Sequence, residues 1–162
     1  MTTIRPVTTG DAAALCELYN YYVANTVITF ETEAVAHAEM ARRIDEITIN
    51  YPWLVAEDEH GVVGYAYATR WRARAAYDKT AESTIYLRKG AAGSGIGKPL
   101  YDALIDALRQ RGFHAMVGCI TVPNPPSIAF HEKCGFVKVA HFPEVGNKFG
   151  NWVDVGFWQL TL

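Results

Sequence analysis

A run of alternating glycines is the feature of this sequence with the clearest chemical use. Four of the 13 glycines fall within residues 90–97, and three of them alternate in Gly93-Ser94-Gly95-Ile96-Gly97. A strand pattern precedes the run, and a helical pattern starting near Lys98 follows it. The first backbone N–H groups of a helix have no partner within it and favour negative charge, while glycine lets phosphate oxygens approach closely. The run, together with Lys98, therefore predicts a phosphate site over residues 93–98.

Two well-known phosphate motifs do not fit this run. The pattern GxxxxGK followed by Ser or Thr would need glycine in place of Ala92 and Ser or Thr in place of Pro99. The dinucleotide pattern GxGxxG would need glycine in place of Lys98 or Leu100. A pyrophosphate cradle of another type is favoured, and a flexible turn is the alternative.

The elements that must position this run predict one α+β domain over residues 1–162, with a mixed, mostly antiparallel sheet. Apolar and β-branched patterns predict strands over residues 2–7, 53–56, 62–68, 82–87, 116–120, 137–142 and 152–160. Helical spacing and capping residues predict a helix that is capped by residue 9 or 11 and carries residues 13, 15, 18, 19 and 22. They also predict helices over residues 34–49, 98–111 and 125–134. Residues 25–32 and 71–80 are predicted to be loops, and residues 58–61 a hairpin turn.

The composition limits the class of protein. Hydrophobic residues make up 50% of the chain, which excludes intrinsic disorder. Lys and Arg number 15 against 17 Asp and Glu, so the net charge of -2 predicts neither a nucleic-acid partner nor a membrane surface. No apolar run approaches the roughly 20 residues that span a bilayer, and the first residues lack a signal-peptide pattern. A cytoplasmic location is expected.

The cysteines predict neither a disulfide framework nor a metal site. Cys16, Cys119 and Cys134 are far apart and form no CxxC pair. His131 and Cys134 lie one helical turn apart and offer two potential ligands, but no second pair follows. Buried or half-buried thiols are the expectation.

The glycine run resembles the acetyl-CoA site of the GNAT acyltransferases. That pattern is Arg or Gln, two residues, Gly, one residue, then Gly or Ala, and residues 92–97 occupy it. Ala92 stands where Arg or Gln is usual, which removes a side chain but leaves the backbone donors. Three longer blocks, residues 51–57, 80–86 and 150–160, resemble the phosphinothricin N-acetyltransferases, a group that includes methionine sulfoximine acetyltransferases.

This resemblance covers nearly the whole chain and implies a fold and a reaction. The implied fold is that of the GNAT family, a twisted mixed sheet flanked by about four helices. The implied reaction moves acetyl from acetyl-CoA, the co-substrate, to the α-amine of a small amino acid. The resemblance also implies a homodimer, whose subunits pair through the C-terminal half of the chain.

The resemblance also assigns catalytic and cofactor-binding roles. Glu82 matches the general base, which must take a proton from the substrate's ammonium before the amine can attack. His131 stands at the usual position of a tyrosine that protonates the leaving thiolate, and the unperturbed pKa of histidine, about 6.5, suits that exchange. A capping or packing histidine is the alternative. Cofactor contacts are implied for Asn124 and for the backbone N–H groups of Ile85, Tyr86 and Leu87, where they would stabilise an oxyanion.

Substrate binding is assigned by the resemblance to the loop after the third strand. Arg72 and Arg74, with Tyr77 nearby, would bind the carboxylate and phosphinate of phosphinothricin. The other implied substrate contacts are Ala73, Glu82, Ser83, Thr84, Phe30 and Tyr101. Core packing is the equal alternative for Phe30 and Tyr101. Three residues near the last hairpin would close the pocket: Lys148, Asn151 and Trp152.

Two other functions remain open at this point. One is a GNAT acetyltransferase for a different amine, such as a polyamine or a protein N-terminus. A polycation would need an acidic loop, which residues 71–77 do not form. The second is a module that binds acyl-CoA without turnover, a hypothesis supported by Ala92 and opposed by the presence of Glu82 and His131.

Overall fold

The computed structural model describes residues 1–162. The strands are β1 (Thr3–Pro6), β2 (Trp53–Asp58), β3 (Gly61–Arg70), β4 (Thr80–Leu87), β5 (Ala115–Val122), β6 (Val137–Lys148) and β7 (Asn151–Thr161). The α-helices are α1 (Ala12–Asn25), α2 (His37–Thr48), α3 (Gly97–Gln110) and α4 (Pro125–Lys133). Thr9–Asp11 and Ala75–Tyr77 form short 3-10 helices. None of the helices has the length and apolar character needed to span a bilayer.

All the strands join one sheet in the order β1-β2-β3-β4-β5-β7-β6. The β4–β5 pair is parallel, and every other pair is antiparallel. Parallel neighbours need a crossover connection, which α3 supplies. The predicted α+β fold, with a mixed, mostly antiparallel sheet and four helices, is confirmed.

Two apolar cores lie on the two faces of the sheet, because successive strand side chains point to opposite faces. On β3, Tyr65 belongs to the first core and the adjacent Ala66 to the second. Helices α1 and α2 cover the first core, and α3 covers the second. On α3, the buried side chains recur every four residues, as one face of a helix requires: Leu100, Leu104 and Leu108.

The sheet opens into a fork between β4 and β5. These strands pair only from Thr80 with Ala115 to Ser83 with Gly118. Beyond that point β4 stays paired with β3 as far as Leu87, and β5 stays paired with β7 as far as Val122. The two free arms of the fork are therefore residues 84–87 and 119–122, and each keeps the support of its outer neighbour.

Two predicted element bounds are wrong, each for a local reason. Helix α2 begins at His37 rather than at residue 34, because the Asn20 side chain bonds both the N–H and the C=O of Val35, at 2.8 and 3.0 Å. Strand β6 continues to Lys148 rather than ending at residue 142. The pairing with β7 shifts between Phe142 and Gly146 and then resumes, so the proline in between marks an irregularity and not an end.

Candidate active site

A cavity of about 290 Å³ lies in the fork. Both arms line it, through Thr84 and Ile85 on one side and Cys119 and Thr121 on the other. The loop between α1 and α2 and the helix α4 complete its wall. The fork therefore exposes the edges of two strands to a single space, where an extended ligand can bind between them.

Glu82 lies at the base of the fork, opposite Val117 in the register of β4 and β5. Its side chain lines the cavity, is half-buried, and makes no hydrogen bond or ion pair. Burial raises the pKa of the Glu82 carboxyl, and the positive charge of Arg72 offsets part of this rise. An unpaired carboxylate in such surroundings is a good proton acceptor.

The raised pKa of Glu82 predicts an effect on stability. A group whose pKa is higher in the folded state stabilises the fold below its unfolded pKa, and this contribution is lost as pH rises through the folded value. The E82Q variant has no such titration, so its Tm should exceed that of the wild type by a few degrees at pH 7, and the difference should shrink toward pH 4. Thermal unfolding of both proteins across this range measures it. A Tm difference independent of pH would contradict the assignment.

Ser83 is the last β4 residue that pairs with β5, and it holds the base of the fork closed. Its hydroxyl donates to the carbonyl of Val117 at 3.2 Å and accepts from the Tyr101 hydroxyl at 2.7 Å. Tyr101 is fully buried in the second core and does not line the cavity. The prediction of Tyr101 as a pocket wall is therefore wrong, and its alternative, core packing, describes the residue.

His131 lies on α4 and lines the cavity, with a side chain that is almost fully buried. Its Nδ1 bonds the carbonyl of Ser127 at 2.8 Å, so Nδ1 carries the proton and Nε2 is left as an acceptor. Burial lowers the pKa of the imidazole, and the Ser127 carbonyl partly offsets this effect. His131 is thus neutral near pH 7 and must take up a proton before it can donate one from Nε2.

Asn124 lines the cavity and also caps α4. Its Oδ1 accepts from the backbone N–H of Ser127 at 3.3 Å, and Pro125 and Pro126 follow at the first helical positions, where no N–H is needed. The two prolines and this cap fix the start of the helix that carries His131.

The glycine run forms the turn between β4 and α3. Gly93 and Gly95 have φ of +81° and +84°, and no atom lies within 4 Å of a Cβ built on either residue. The backbone N–H groups of Gly95, Ile96, Gly97 and Lys98 have no partner in the protein. Those amides, at the start of α3, are free to donate to an anion, as the predicted phosphate site requires.

Two predicted contacts of this run are already engaged within the protein. Both the N–H and the hydroxyl of Ser94 bond the carbonyl of Ala91, at 3.2 and 2.6 Å. The Lys98 ammonium bonds Asp102, at 2.6 and 2.8 Å. Both side chains are exposed, so these bonds can exchange for a ligand at little cost.

A second hollow of about 270 Å³ lies beside Thr80 of β4, two residues before Glu82. Arg72 and Tyr77 line it, together with apolar residues of β6 and β7 such as Phe157. The Arg72 guanidinium lies 5.0 Å from the centre of the Trp71 ring, which orients it by a cation–π contact.

The structure separates the predicted substrate residues. Arg72 and Tyr77 lie at the second hollow, and Phe30 and Thr84 lie at the fork cavity. Ala73 and Arg74 are exposed and line neither space. Of the residues near the last hairpin, Asn151 and Trp152 are exposed, while Lys148 is buried.

Comparison with known proteins identifies the family. The family model described as an acetyltransferase (GNAT) domain matches residues 4–156. The chain belongs to this family.

Three relatives of this GNAT chain illustrate how close the similarity is. It is 41% identical to a phosphinothricin N-acetyltransferase of Streptomyces viridochromogenes, over 96% of this chain and 85% of that protein. It is 37% identical to an L-methionine sulfoximine/L-methionine sulfone acetyltransferase of Salmonella typhimurium, over 99% of this chain and 94% of that protein. A crystal structure of a GNAT superfamily phosphinothricin acetyltransferase from Sinorhizobium meliloti in complex with AcCoA superposes with a TM-score of 0.95 at 40% identity, covering 99% of this chain and 88% of that one.

Sequence reasoning missed several residues that line the GNAT fork cavity. They are Tyr19, Ile28, Thr29, Tyr67, Cys119, Ile120, Thr121, Ser127 and Val155. Tyr67 could have been found by pairing the two predicted strands, because it lies opposite Thr84 in the antiparallel ladder and so shares the sheet face of Glu82. No sequence pattern points to Thr29, because its loop has neither helical nor strand periodicity and reaches the cavity only through tertiary contacts.

Proposed function

We propose that this protein transfers the acetyl group of acetyl-CoA to the α-amine of a small amino acid with an anionic side chain, such as L-phosphinothricin, or to the related methionine sulfoximine. The observation that carries the proposal is Glu82, an unpaired and half-buried carboxylate in the fork cavity. The names of the relatives from Streptomyces viridochromogenes and Salmonella typhimurium support this choice of acceptor.

In the proposed reaction Glu82 acts first. Its carboxylate takes a proton from the substrate's ammonium, and the neutral amine then attacks the thioester carbon. A C–N bond forms as the C–S bond breaks. The backbone N–H groups of Ile85 and Leu87, which alternate with the β3-paired N–H of Tyr86 and so face the fork, stabilise the negative charge on the carbonyl oxygen. After the C–N bond forms, the nitrogen must lose a second proton; His131 accepts it at Nε2 and passes it to the departing thiolate.

The co-substrate would be bound by the turn before α3. The amides of Gly95, Ile96, Gly97 and Lys98 have no protein partner, as the pyrophosphate of acetyl-CoA requires. Ala92 contributes no side chain to that contact. Asn124 would bind the pantetheine arm near the cap of α4.

The acceptor would extend from Glu82 toward the second hollow. The positive charge of Arg72 acts on the Glu82 carboxyl and lowers its pKa. A zwitterion with its amine at Glu82 can therefore direct an anionic group toward Arg72. Tyr77 lines the same hollow, and Arg74 would join Arg72 on the loop that carries both. A polyamine gains nothing from these arginines, which favours an acidic amino acid over a polycation.

A thiol-release assay tests the proposal. The protein is incubated with acetyl-CoA and, in separate reactions, with phosphinothricin, methionine sulfoximine, common amino acids and a polyamine. CoA release that depends on one of the first two acceptors is expected. Release with the polyamine alone would favour a different amine. No release with any acceptor, combined with acetyl-CoA binding by calorimetry, would favour a module without turnover.

We also propose that the protein is a homodimer joined through the C-terminal hairpin. Several apolar side chains on this hairpin are exposed, and an apolar patch of this kind is costly to leave in water. They are Val137, Val139, Phe142, Val145, Phe149 and Trp152.

The homodimer predicts a specific response to mutation. Sedimentation should show a dimer for the wild type and a mostly monomeric V145E, because a charge in an apolar interface is desolvated without a partner. Val145 lies on this hairpin, is exposed and lines neither cavity. The matched control is I49E, since Ile49 is also apolar and exposed but lies at the end of α2. A monomeric wild type, or a V145E that stays dimeric, would contradict the proposal.

The proposed cellular setting is the cytoplasm, with the small-molecule acceptor as partner and no role for nucleic acid or a membrane. Acetylation removes the charge of the acceptor's amine, so the enzyme would confer resistance to phosphinothricin as a herbicide. Growth of a susceptible bacterium that expresses the protein, on medium containing phosphinothricin, measures this effect; E82Q is the inactive control.

A further inference from the structure

One wall of the fork cavity is a loop with little backbone bonding of its own. The α1–α2 loop (residues 26–36) contributes Ile28, Thr29 and Phe30 to the cavity. Its backbone hydrogen bonds to other backbone groups occur only at its ends, from the N–H of Thr26 and to the carbonyl of Ala36. Side chains must therefore hold this loop in place, because a chain without a ladder is otherwise free to move.

Most of those side chains come from the two helices that flank the loop. Tyr19 of α1 bonds the Thr29 hydroxyl at 2.7 Å, and Asn20 bonds the backbone of Val35. Arg43 of α2 bonds both carboxylate oxygens of Glu31, at 2.6 and 3.0 Å. These contacts tie the loop to α1 and α2 but leave its distance from the opposite wall of the cavity unrestrained.

Lys148 makes the one hydrogen bond between the loop and the β6–β7 hairpin. Its ammonium donates to the carbonyl of Thr29 at 2.8 Å, across 119 positions of sequence, and the residue is only 2% exposed. No carboxylate lies within ion-pair distance of it. Burial lowers the pKa of this ammonium, and the negative charge of Glu31 acts in the opposite direction. The ammonium also lies 5.1 Å from the centre of the Phe149 ring. A buried charge whose partners are one carbonyl and one aromatic ring contributes little net stability, so a positioning role explains it better.

A second contact at the same place depends on Gly146. A Cβ built on Gly146 would lie 2.3 Å from the Phe30 ring, so the ring can pack on β6 only because no side chain is present there. Phe30 follows Thr29 directly, and Gly146 lies two residues before Lys148 on the same strand. The Lys148 ammonium therefore fixes Thr29, and the absence of a side chain at Gly146 allows the adjacent Phe30 to pack on the same strand.

We propose that Lys148 is a positioning residue for the acceptor amino acid: its bond to Thr29, together with the seat for Phe30 at Gly146, fixes the gap between the α1–α2 loop and the fork. This inference rests on the proposed function, because the wall it positions faces the same cavity as Glu82. The turn before α3 is outside its reach, since no residue of that turn contacts the loop through a hydrogen bond.

Steady-state kinetics of K148M test the proposal. A lost hydrogen bond to a charged donor predicts a KM for the acceptor that rises about tenfold or more, with the KM for acetyl-CoA within about twofold of the wild type. K148R keeps a charged donor and should recover part of the loss, and G146A should raise the acceptor KM by displacing Phe30. The control is K138M, which removes the same charge from an exposed site on the same strand. Equal rises in both KM values, or an effect of K138M as large as that of K148M, would overturn the proposal.

Hydrogen exchange separates this inference from the proposed function, because it needs no turnover. In K148M the backbone amides of residues 28–31 should exchange faster, while those of β4 and β5 keep their protection. Faster exchange would show that the Lys148–Thr29 bond holds the loop, even if the wild type acetylates none of the acceptors. In that case only the role of the loop in acceptor binding would fail. Unchanged exchange of residues 28–31 would show that the Lys148–Thr29 bond does not hold the loop, and would overturn the proposal. Loss of amide protection throughout the protein would show that Lys148 has a purely structural role, and would overturn it as well.

Discussion

E82Q is expected to lower kcat at pH 7 by about 10²- to 10⁴-fold, the usual contribution of a general base. Glutamine keeps the size and the hydrogen-bonding capacity of the side chain but cannot accept the proton of the ammonium. Because Glu82 has no hydrogen-bond or ion-pair partner, the change leaves the surrounding contacts intact. The KM for acetyl-CoA should therefore stay within about threefold of the wild type.

The pH profile adds a second measurement of the same prediction. Burial raises the pKa of Glu82, so the wild-type kcat should fall on the acidic side at a pH above the usual range of a carboxyl. The matched control is E59Q, because Glu59 lies in the exposed turn between β2 and β3, away from both cavities. If E82Q keeps wild-type activity at pH 7, Glu82 is not the base.

A charge reversal at Arg72 is expected to have the second largest effect. R72E should raise the KM for phosphinothricin by about 10- to 100-fold, since one or two hydrogen bonds to a charged group are lost and a repulsive charge replaces them. The same change removes the positive charge that lowers the pKa of Glu82. The acidic limb of the pH profile should therefore move to higher pH in R72E, a shift that loss of binding alone does not produce.

Initial rates at varied acceptor with saturating acetyl-CoA, and at varied acetyl-CoA with saturating acceptor, measure the effect of R72E on both KM values. R109E is the control, because Arg109 is an exposed α3 residue paired with Asp106 and contributes to neither cavity. An unchanged KM for phosphinothricin in R72E would eliminate Arg72 as an anion-binding residue. A rise in the KM for acetyl-CoA of the same size would place its effect at the donor instead.

The elements of the fold could be predicted from the sequence where their signals are local. Strand alternation, the capping Asn124 with its prolines and the glycine turn are all read within a few neighbouring residues. The start of α2 and the extent of β6 could not be read in this way. Asn20 and Asp154 decide them by bonding the backbone of Val35 and Glu144 from other elements.

By itself, the sequence determined the glycine turn before α3 and the family resemblance, because a helix start and its glycines act through the backbone of one short segment. Only the tertiary structure decided which residues meet at the site. The fork arises where β4 stops pairing with β5, although Ser83 and Gly118, the last pair before it, lie 35 positions apart in the sequence. Arg72 reaches the surroundings of Glu82, and Lys148 reaches Thr29, through folds of the chain that no local pattern encodes. Contacts of this kind depend on how whole elements pack, and packing is a property of the complete sheet and its helices.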